Sequence, residues 1–193
     1  MEIKICGIRR KEDIDIISKY KPDYIGFIFA KSKREVTPET VAEITKNLDK
    51  NIKKVGVFVN ATYEKINEAV KAAKLDVVQL HGDENEEYIS NLDCKCEIWK
   101  AVRVRDGEDI YDVNTDKEYG GSGQTFDWHG GSRIKTDKPI MLAGGIKTEN
   151  VIEGINIFKP VGVDISSSVE TDGFKDEQKI KKFIETVRSY ENE

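Results

Sequence analysis

Cysteine and histidine are scarce in this chain of 193 residues: there are three cysteines (Cys6, Cys94, Cys96) and two histidines (His81, His129). An odd cysteine count behind an N-terminus, "MEIKICGIRRKED", that has no signal-peptide apolar stretch argues for reduced thiols and against a disulfide framework. Cys94 and Cys96 form C-x-C, not C-x-x-C, and no second cysteine pair exists to complete a zinc site, so no metal is expected. No apolar run approaches the ~20 residues of a membrane span, which leads to the expectation of a cytoplasmic protein with no membrane partner. A basic footprint is missing too. The 31 Lys and Arg and 36 Asp and Glu are interleaved and the net charge is only -5, which speaks against a nucleic-acid binder. The Lys and Glu enrichment also fits a heat-adapted protein. No internal repeat, low-complexity tract or linker interrupts the chain, only a polar tail "ENE", so one domain over residues 1–193 is expected.

What is present is an alternation. Short β-rich runs occur at 2–8, 23–29, 53–59, 77–82, 97–104, 139–145 and 161–166, with a weaker "DIYDV" at 109–113. Between most of them lie amphipathic helical stretches: "KEDIDIISKY", "TPETVAEITKNL", "TYEKINEAVKAAK", "NEEYISNL" and "TENVIEGINIF", with "DEQKIKKFIETVRSY" closing the chain. Strands alternating with helices predict an α/β fold with a parallel sheet. Eight such units favour a (β/α)8 TIM barrel, a compact one, since about 250 residues is typical of that fold. The saving falls after "AVRV", where there is almost no room for helix 5, leaving it missing or reduced to a loop; "HGGSRIKTDK" has room for a short helix only. The alternative is an open doubly wound sheet. Its G-x-G-x-x-G phosphate fingerprint should follow the first strand, where "CGIRRKED" stands instead.

In a barrel the functional groups collect at the C-terminal ends of the strands. Cys6 ends the first, Arg34 follows the second in "SKREV", and His81 ends the fourth. The stretch "YGGSGQTFDW" (119–128) packs three glycines into five positions and then presents Asp127 between Phe126 and Trp128. Glycine there allows backbone to come close to a ligand, and apolar rings beside a carboxyl can raise its pKa towards neutrality. "AGGI" with Gly144 and Gly145, and "DISSSVE" with Asp164, Ser166 and Ser167, end the last two strands. Small residues with open N–H groups at that place suit a phosphorylated small-molecule substrate. Each residue also has an ordinary structural use: a free cysteine is most often a small buried hydrophobe, an arginine a surface ion-pair partner, an aspartate a cap. Their joint placement on one expected face is what favours a site.

"KICGI", "S-x-R-x-V", "VQLHGDE", "YGGSGQTFDW", "LAGGI" and "GVDISSSVE", in this order along nearly the whole chain, resemble the signatures of phosphoribosylanthranilate isomerase of tryptophan biosynthesis. The resemblance implies a barrel that performs, without a cofactor, the Amadori rearrangement of N-(5'-phosphoribosyl)anthranilate to 1-(2-carboxyphenylamino)-1-deoxy-D-ribulose 5-phosphate. It implies Cys6 as general base and Asp127 as general acid, Arg34 on the anthranilate carboxylate, Gly144, Gly145, Ser166 and Ser167 on the phosphate, and His81 and Asp164 lining the pocket. The chain departs from the family pattern at Ser122 for the usual Thr, Gln124 for Lys, Lys33 for Pro and Ser168 for Gly. A non-glycine residue at 168 makes a positive φ there costly. A homodimer is left open. Two other readings remain: a histidine-pathway phosphosugar isomerase, for which an aspartate would be expected near Cys6 and two similar halves along the chain, and a non-catalytic binder of phosphorylated ligands.

Overall fold

The structure is a computed structural model, described here for residues 1–102 and 138–191. In chain order its elements begin with β1 (Glu2–Cys6), α1 (Lys11–Tyr20), β2 (Tyr24–Ile28), α2 (Pro38–Ile44), β3 (Lys53–Phe58) and α3 (Tyr63–Ala73). They continue with β4 (Val77–Leu80), α4 (Glu86–Asn91), β5 (Glu97–Lys100), β6 (Met141–Leu142), α5 (Val151–Phe158) and β7 (Gly162–Ile165). A short 3-10 turn (Ser167–Val169), β8 (Glu170–Thr171), β9 (Phe174–Lys175) and α6 (Glu177–Tyr190) close the chain. The expected strand at 109–113, the loop replacing helix 5 and the segment 119–128 with Asp127 lie outside the described residues.

The chain divides into two compact units. The larger runs from Cys6 to Val102 and carries a parallel ladder in which β2 pairs with β3, β3 with β4, and β4 with β5. Helices α2 to α4 lie between these strands in the chain, which is what parallel pairing requires, because a crossover must return the chain to the starting edge. The strands are buried on both faces, as an α/β sheet demands: Tyr24, Ile25 and Phe27 in β2 and Val55, Val57 and Phe58 in β3 are all in the core. α1 turns Ile14 and Ile17 inwards. It ends at Lys21 in the left-handed conformation with φ 46°, and α3 ends the same way at Lys74 with φ 51°.

The other unit contains the start of β1 and the chain from residue 138 onwards. Here β1 and β6 flank β7, again in parallel, with Lys4 opposite Asp164 and Ile5 opposite Ile165. Ile3 and Ile5 face one way along β1 and Lys4 and Cys6 the other, by the two-residue period of a strand. The Lys4 side chain is fully buried, and its Nζ lies 2.6 Å from Asp164 Oδ2. Charge burial of this kind is tolerated only with such a partner. The strand expected over 139–145 is shorter than its apolar run suggests: only Met141 and Leu142 pair, and Ala143 onwards turns away to form a loop. A hairpin not anticipated from the sequence, β8 and β9 joined through Asp172 and Gly173, both at positive φ, precedes α6.

Asp176 ties that hairpin to α6. Its Oδ1 accepts the N–H groups of Gln178 and Lys179 at 3.0 Å each, and its Oδ2 accepts the Thr171 hydroxyl at 2.7 Å. The Thr171 hydroxyl and the cap N–H groups hold the Asp176 carboxyl below the usual carboxylate range. Asp176→Ala should therefore cost about 0.5–2 kcal/mol at neutral pH, the usual worth of such a cap. Because the folded-state pKa is the lowered one, this contribution is present above the unfolded value of about 3.9 and fades as pH falls through the folded value. Urea unfolding of both proteins should show the gap narrowing below about pH 4. A gap that stays constant into acid would mean that these hydrogen bonds do not favour the charged form.

Candidate active site

The segment after Cys6 is built to hold one conformation. The Gly26 carbonyl accepts both the Gly7 and Ile8 N–H groups, at 2.9 and 3.0 Å, which turns the chain sharply at the end of β1. The buried Asp13 carboxylate then accepts the N–H groups of Arg9 and Arg10 at 3.0 and 3.1 Å and receives the Arg10 guanidinium at 2.9 Å. This caps α1 and leaves no slack between Cys6 and the helix. Cys6 itself is 8% exposed. A Cβ on Gly26 would lie 2.6 Å from Cys6 Sγ and 3.1 Å from its Cα, so the thiol occupies space that only glycine leaves open. Sequence reading passed over Gly26, although a glycine inside the apolar run "DYIGFIF" is the usual mark of a close approach.

Arg34 stands in a tight loop after β2. Its N–H donates to Ser32 Oγ at 3.1 Å, Val36 N–H returns to the Ile28 carbonyl at 3.0 Å, and the Arg9 guanidinium braces the Lys33 carbonyl at 2.8 Å. Arg9, from the loop after Cys6, thus holds the backbone that presents Arg34. His81 follows β4, with its N–H on the Phe58 carbonyl at 2.8 Å. Beneath it lies a buried carboxylate that sequence reading did not single out. Glu84 accepts Asn60 N–H at 2.7 Å and Gly82 N–H at 2.9 Å, and pairs with Lys100 Nζ at 2.9 Å. Lys100 Nζ also donates to the Gly82 carbonyl. The network fixes the His81–Gly82 turn from both sides.

Burial pushes the Cys96 thiol up to about 11, and its Sγ donates to the Leu75 carbonyl at 3.2 Å. A thiol held protonated in this way is a poor nucleophile or base.

In the other unit, Gly144 and Gly145 follow β6 with φ of 89° and 64°. Among the described residues nothing would meet a Cβ on Gly144 within 4 Å, and its backbone angle is one that favours glycine. Asn150 closes this loop, giving its amide to the Gly145 carbonyl at 3.0 Å and accepting Lys147 N–H at 2.7 Å. Ser166 and Ser167 follow β7, and the Ser168 hydroxyl donates to the Ile146 carbonyl, joining the two loops. Ser168 is helical, in the 3-10 turn, and is not among the residues at positive φ, so the angle that would have made it costly is not used. Asp164, in β7, has Oδ2 on Lys4 and a buried Oδ1 with no partner among the described residues.

The structure thus places Cys6 at the end of β1, Arg34 in the loop after β2 and His81 directly after β4 in one unit, and Gly144, Gly145, Ser166 and Ser167 after β6 and β7 in the other. Asp127 lies outside the described residues. Among the described residues no group of three or more His, Cys, Asp or Glu stands together to hold a metal, and no helix is long and apolar enough to cross a membrane.

A family model described as N-(5'phosphoribosyl)anthranilate (PRA) isomerase matches residues 3–186. The N-(5'-phosphoribosyl)anthranilate isomerase of Clostridium acetobutylicum is 49% identical over 204 aligned positions, covering 98% of this chain and 99% of that protein. The crystal structure of phosphoribosyl anthranilate isomerase from Thermotoga maritima superposes with a TM-score of 0.84 at 35% identity, over 98% of this chain and 99% of that one. A phosphoribosyl anthranilate isomerase in complex with reduced 1-(o-carboxyphenylamino)-1-deoxyribulose 5-phosphate does so with a TM-score of 0.80 at 31% identity, over the same shares. The fold class is accordingly the α/β, TIM-barrel class of these structures. Matched along almost its whole length in sequence and in backbone, the chain belongs to the N-(5'-phosphoribosyl)anthranilate isomerase family.

Proposed function

We propose that Cys6 and Asp127 are the general base and general acid of the isomerisation that this chain carries out as a member of its family: conversion of N-(5'-phosphoribosyl)anthranilate to 1-(2-carboxyphenylamino)-1-deoxy-D-ribulose 5-phosphate in tryptophan biosynthesis. The observation that carries the assignment is the Cys6 thiol at the C-terminal end of β1, held against Gly26 by a backbone hydrogen-bonded from Gly7 to Arg10.

In this reading Asp127 enters protonated and gives its proton to the furanose ring oxygen. The C1'–O bond breaks, pushed by the lone pair of the anthranilate nitrogen, and leaves a neutral alcohol and a Schiff base. The Cys6 thiolate then removes the C2' proton. The electron pair moves to neutralise the Schiff-base nitrogen and gives an enolamine, which tautomerises to the ketone with a proton added at C1'. The two groups need opposite shifts: the acid up, by desolvation between Phe126 and Trp128, and the thiol down, by backbone dipoles and nearby cations. No external oxidant or reductant is called for, since C1' is reduced as C2' is oxidised within one molecule.

Arg34 receives the anthranilate carboxylate, for which its planar fork suits better than the point charge of lysine. Gly144, Gly145, Ser166 and Ser167 receive the 5'-phosphate through backbone N–H and hydroxyl groups, with His81 and Asp164 lining the pocket. The solved relative in complex with the reduced product, a phosphorylated compound that carries a carboxyphenyl group, supports a ligand with these two anionic ends. One barrel over the full chain, working in the cytoplasm, completes the reading.

The test is the loss of the substrate's anthranilate fluorescence on adding purified protein. Cys6→Ala and Asp127→Asn should each lower kcat by at least ~10²–10⁴-fold, the share of general acid–base catalysis, while binding the reduced product nearly as well as wild type. Cys94→Ala should keep full activity. Wild-type turnover by Cys6→Ala would return that residue to core packing.

Gly26→Ala probes the space around the thiol independently. With a Cβ 2.6 Å from Sγ, the Cys6 side chain or strand must shift. A displacement approaching 1 Å should lower kcat by on the order of 10²-fold with little change in KM. An unchanged kcat would show that the position of Cys6 is not critical.

A further inference from the structure

The two loops assigned above to the phosphate are joined by one side chain, and it belongs to a residue at which this chain departs from its family's pattern. Ser168 stands where glycine is common, and its hydroxyl donates to the Ile146 carbonyl. Each side of this link is already firm. On the first side, Ile146 is buried to 3% exposure and Asn150 closes residues 145–150 through its two side-chain hydrogen bonds. On the second, Lys175 reaches back from β9 to donate to the Ser166 carbonyl at 3.0 Å. Its charge is matched by Glu170 Oε1 at 2.8 Å, with both side chains almost fully buried. A buried ammonium satisfied in this way acts as a fixed hydrogen-bond donor to backbone more than as a free charge for a ligand. Val169 is buried beneath the turn, and Asp176 N–H returns to its carbonyl at 2.9 Å.

We propose that Ser168 is a positioning residue for substrate phosphate: its hydroxyl locks the Ser166–Ser168 turn to the Gly144–Ile146 loop, so that the N–H groups of both loops are set at fixed spacing before the ligand arrives. The inference rests on the assignment of Gly144, Gly145, Ser166 and Ser167 to the phosphate. In this reading Ser168 acts through the loops and not on the reacting atoms. Donors fixed in advance bind an anion without a further ordering cost, and recognition of this kind tolerates only about 0.5 Å of error in placement. A glycine at this position has no hydroxyl to make the link and gains backbone freedom.

The experiment compares wild type with Ser168→Ala, Ser168→Thr and Gly145→Ala in the full chain, measuring kcat, KM and competitive inhibition by inorganic phosphate. Ser168→Ala should raise KM and the phosphate inhibition constant together by about five- to tenfold, the worth of one hydrogen bond in an equilibrium constant, with kcat within about twofold. Ser168→Thr, which keeps the hydroxyl, should stay near wild type in both constants. If Ser168→Ala leaves both constants within twofold while Gly145→Ala weakens both, the loops hold phosphate but the Ser168 link does not position them. A fall in kcat with KM unchanged would likewise overturn the inference. If neither Ser168→Ala nor Gly145→Ala alters inhibition by phosphate, the phosphate assignment itself fails.

Discussion

A lysine and an aspartate 160 positions apart set the register on which the site is built. Lys4 and Asp164 are directly opposite in the pairing of β1 with β7, and their side chains meet at 2.6 Å with the lysine wholly buried. A slip of one residue would turn Lys4 and Cys6 to the face that Ile3 and Ile5 now occupy and strand an ammonium among apolar groups. The residues proposed for the site follow this register: Cys6 is two residues beyond Lys4 and Ser166 two beyond Asp164 in their strands. The desolvation of both ions reduces what the pair contributes to net stability, but a wrong pairing would pay that cost without the attraction.

Chemistry and binding make different demands on the chain around these strands. The thiol of Cys6 needs a place and room, which β1, the Gly26 space and the Asp13 cap provide with backbone hydrogen bonds and one buried carboxylate. The anionic ends of a phosphorylated carboxylate substrate need donors on loops, where side chains and N–H groups can be aimed outwards from a rigid sheet. Those loops are held by polar links: an exposed hydrogen bond from Arg9 to the Lys33 carbonyl, and the buried pairs Glu84 with Lys100 near His81 and Lys175 with Glu170 near Ser166. Each ion pair is satisfied within the protein, so rigidity is gained without an unpartnered charge.

Local periodicity made much of this legible. "KEDIDIISKY" forms a helix over its full length, and β1 to β5 lie within the runs read as strands, because both depend on spacing a few residues apart. Where apolar residues continued past the last ladder pair the reading overran: "PIMLAGG" gives two strand residues and then a loop, and "EIWKAVRV" stops pairing at Lys100. The hairpin of β8 and β9 has only two residues on each side, too few to show a period. Cys6, Arg34 and His81 were singled out from strand ends and motifs; in the structure Cys6 ends β1, His81 directly follows β4, and Arg34 lies in the loop after β2. Their supports were not found. Glu84 meets Lys100 across 16 residues and Lys175 reaches Ser166 across 9 through a turn, and no spacing rule identifies such partners. Lys4 alone carried a sign, as a charge between two isoleucines on an otherwise buried strand.

A double-mutant cycle on the buried pair tests the central claim most directly. Urea unfolding would be measured for wild type, Lys4→Met, Asp164→Leu and the double variant. If the pair fixes the register of β1 on β7, Lys4→Met alone should lose about 3–5 kcal/mol by leaving a buried carboxylate uncompensated. The double variant should then lose far less than the two single losses combined, a coupling well beyond the ~0.5 kcal/mol expected of independent sites. Near-wild-type stability in Lys4→Met, with effects that add to within about 0.5 kcal/mol, would contradict the account.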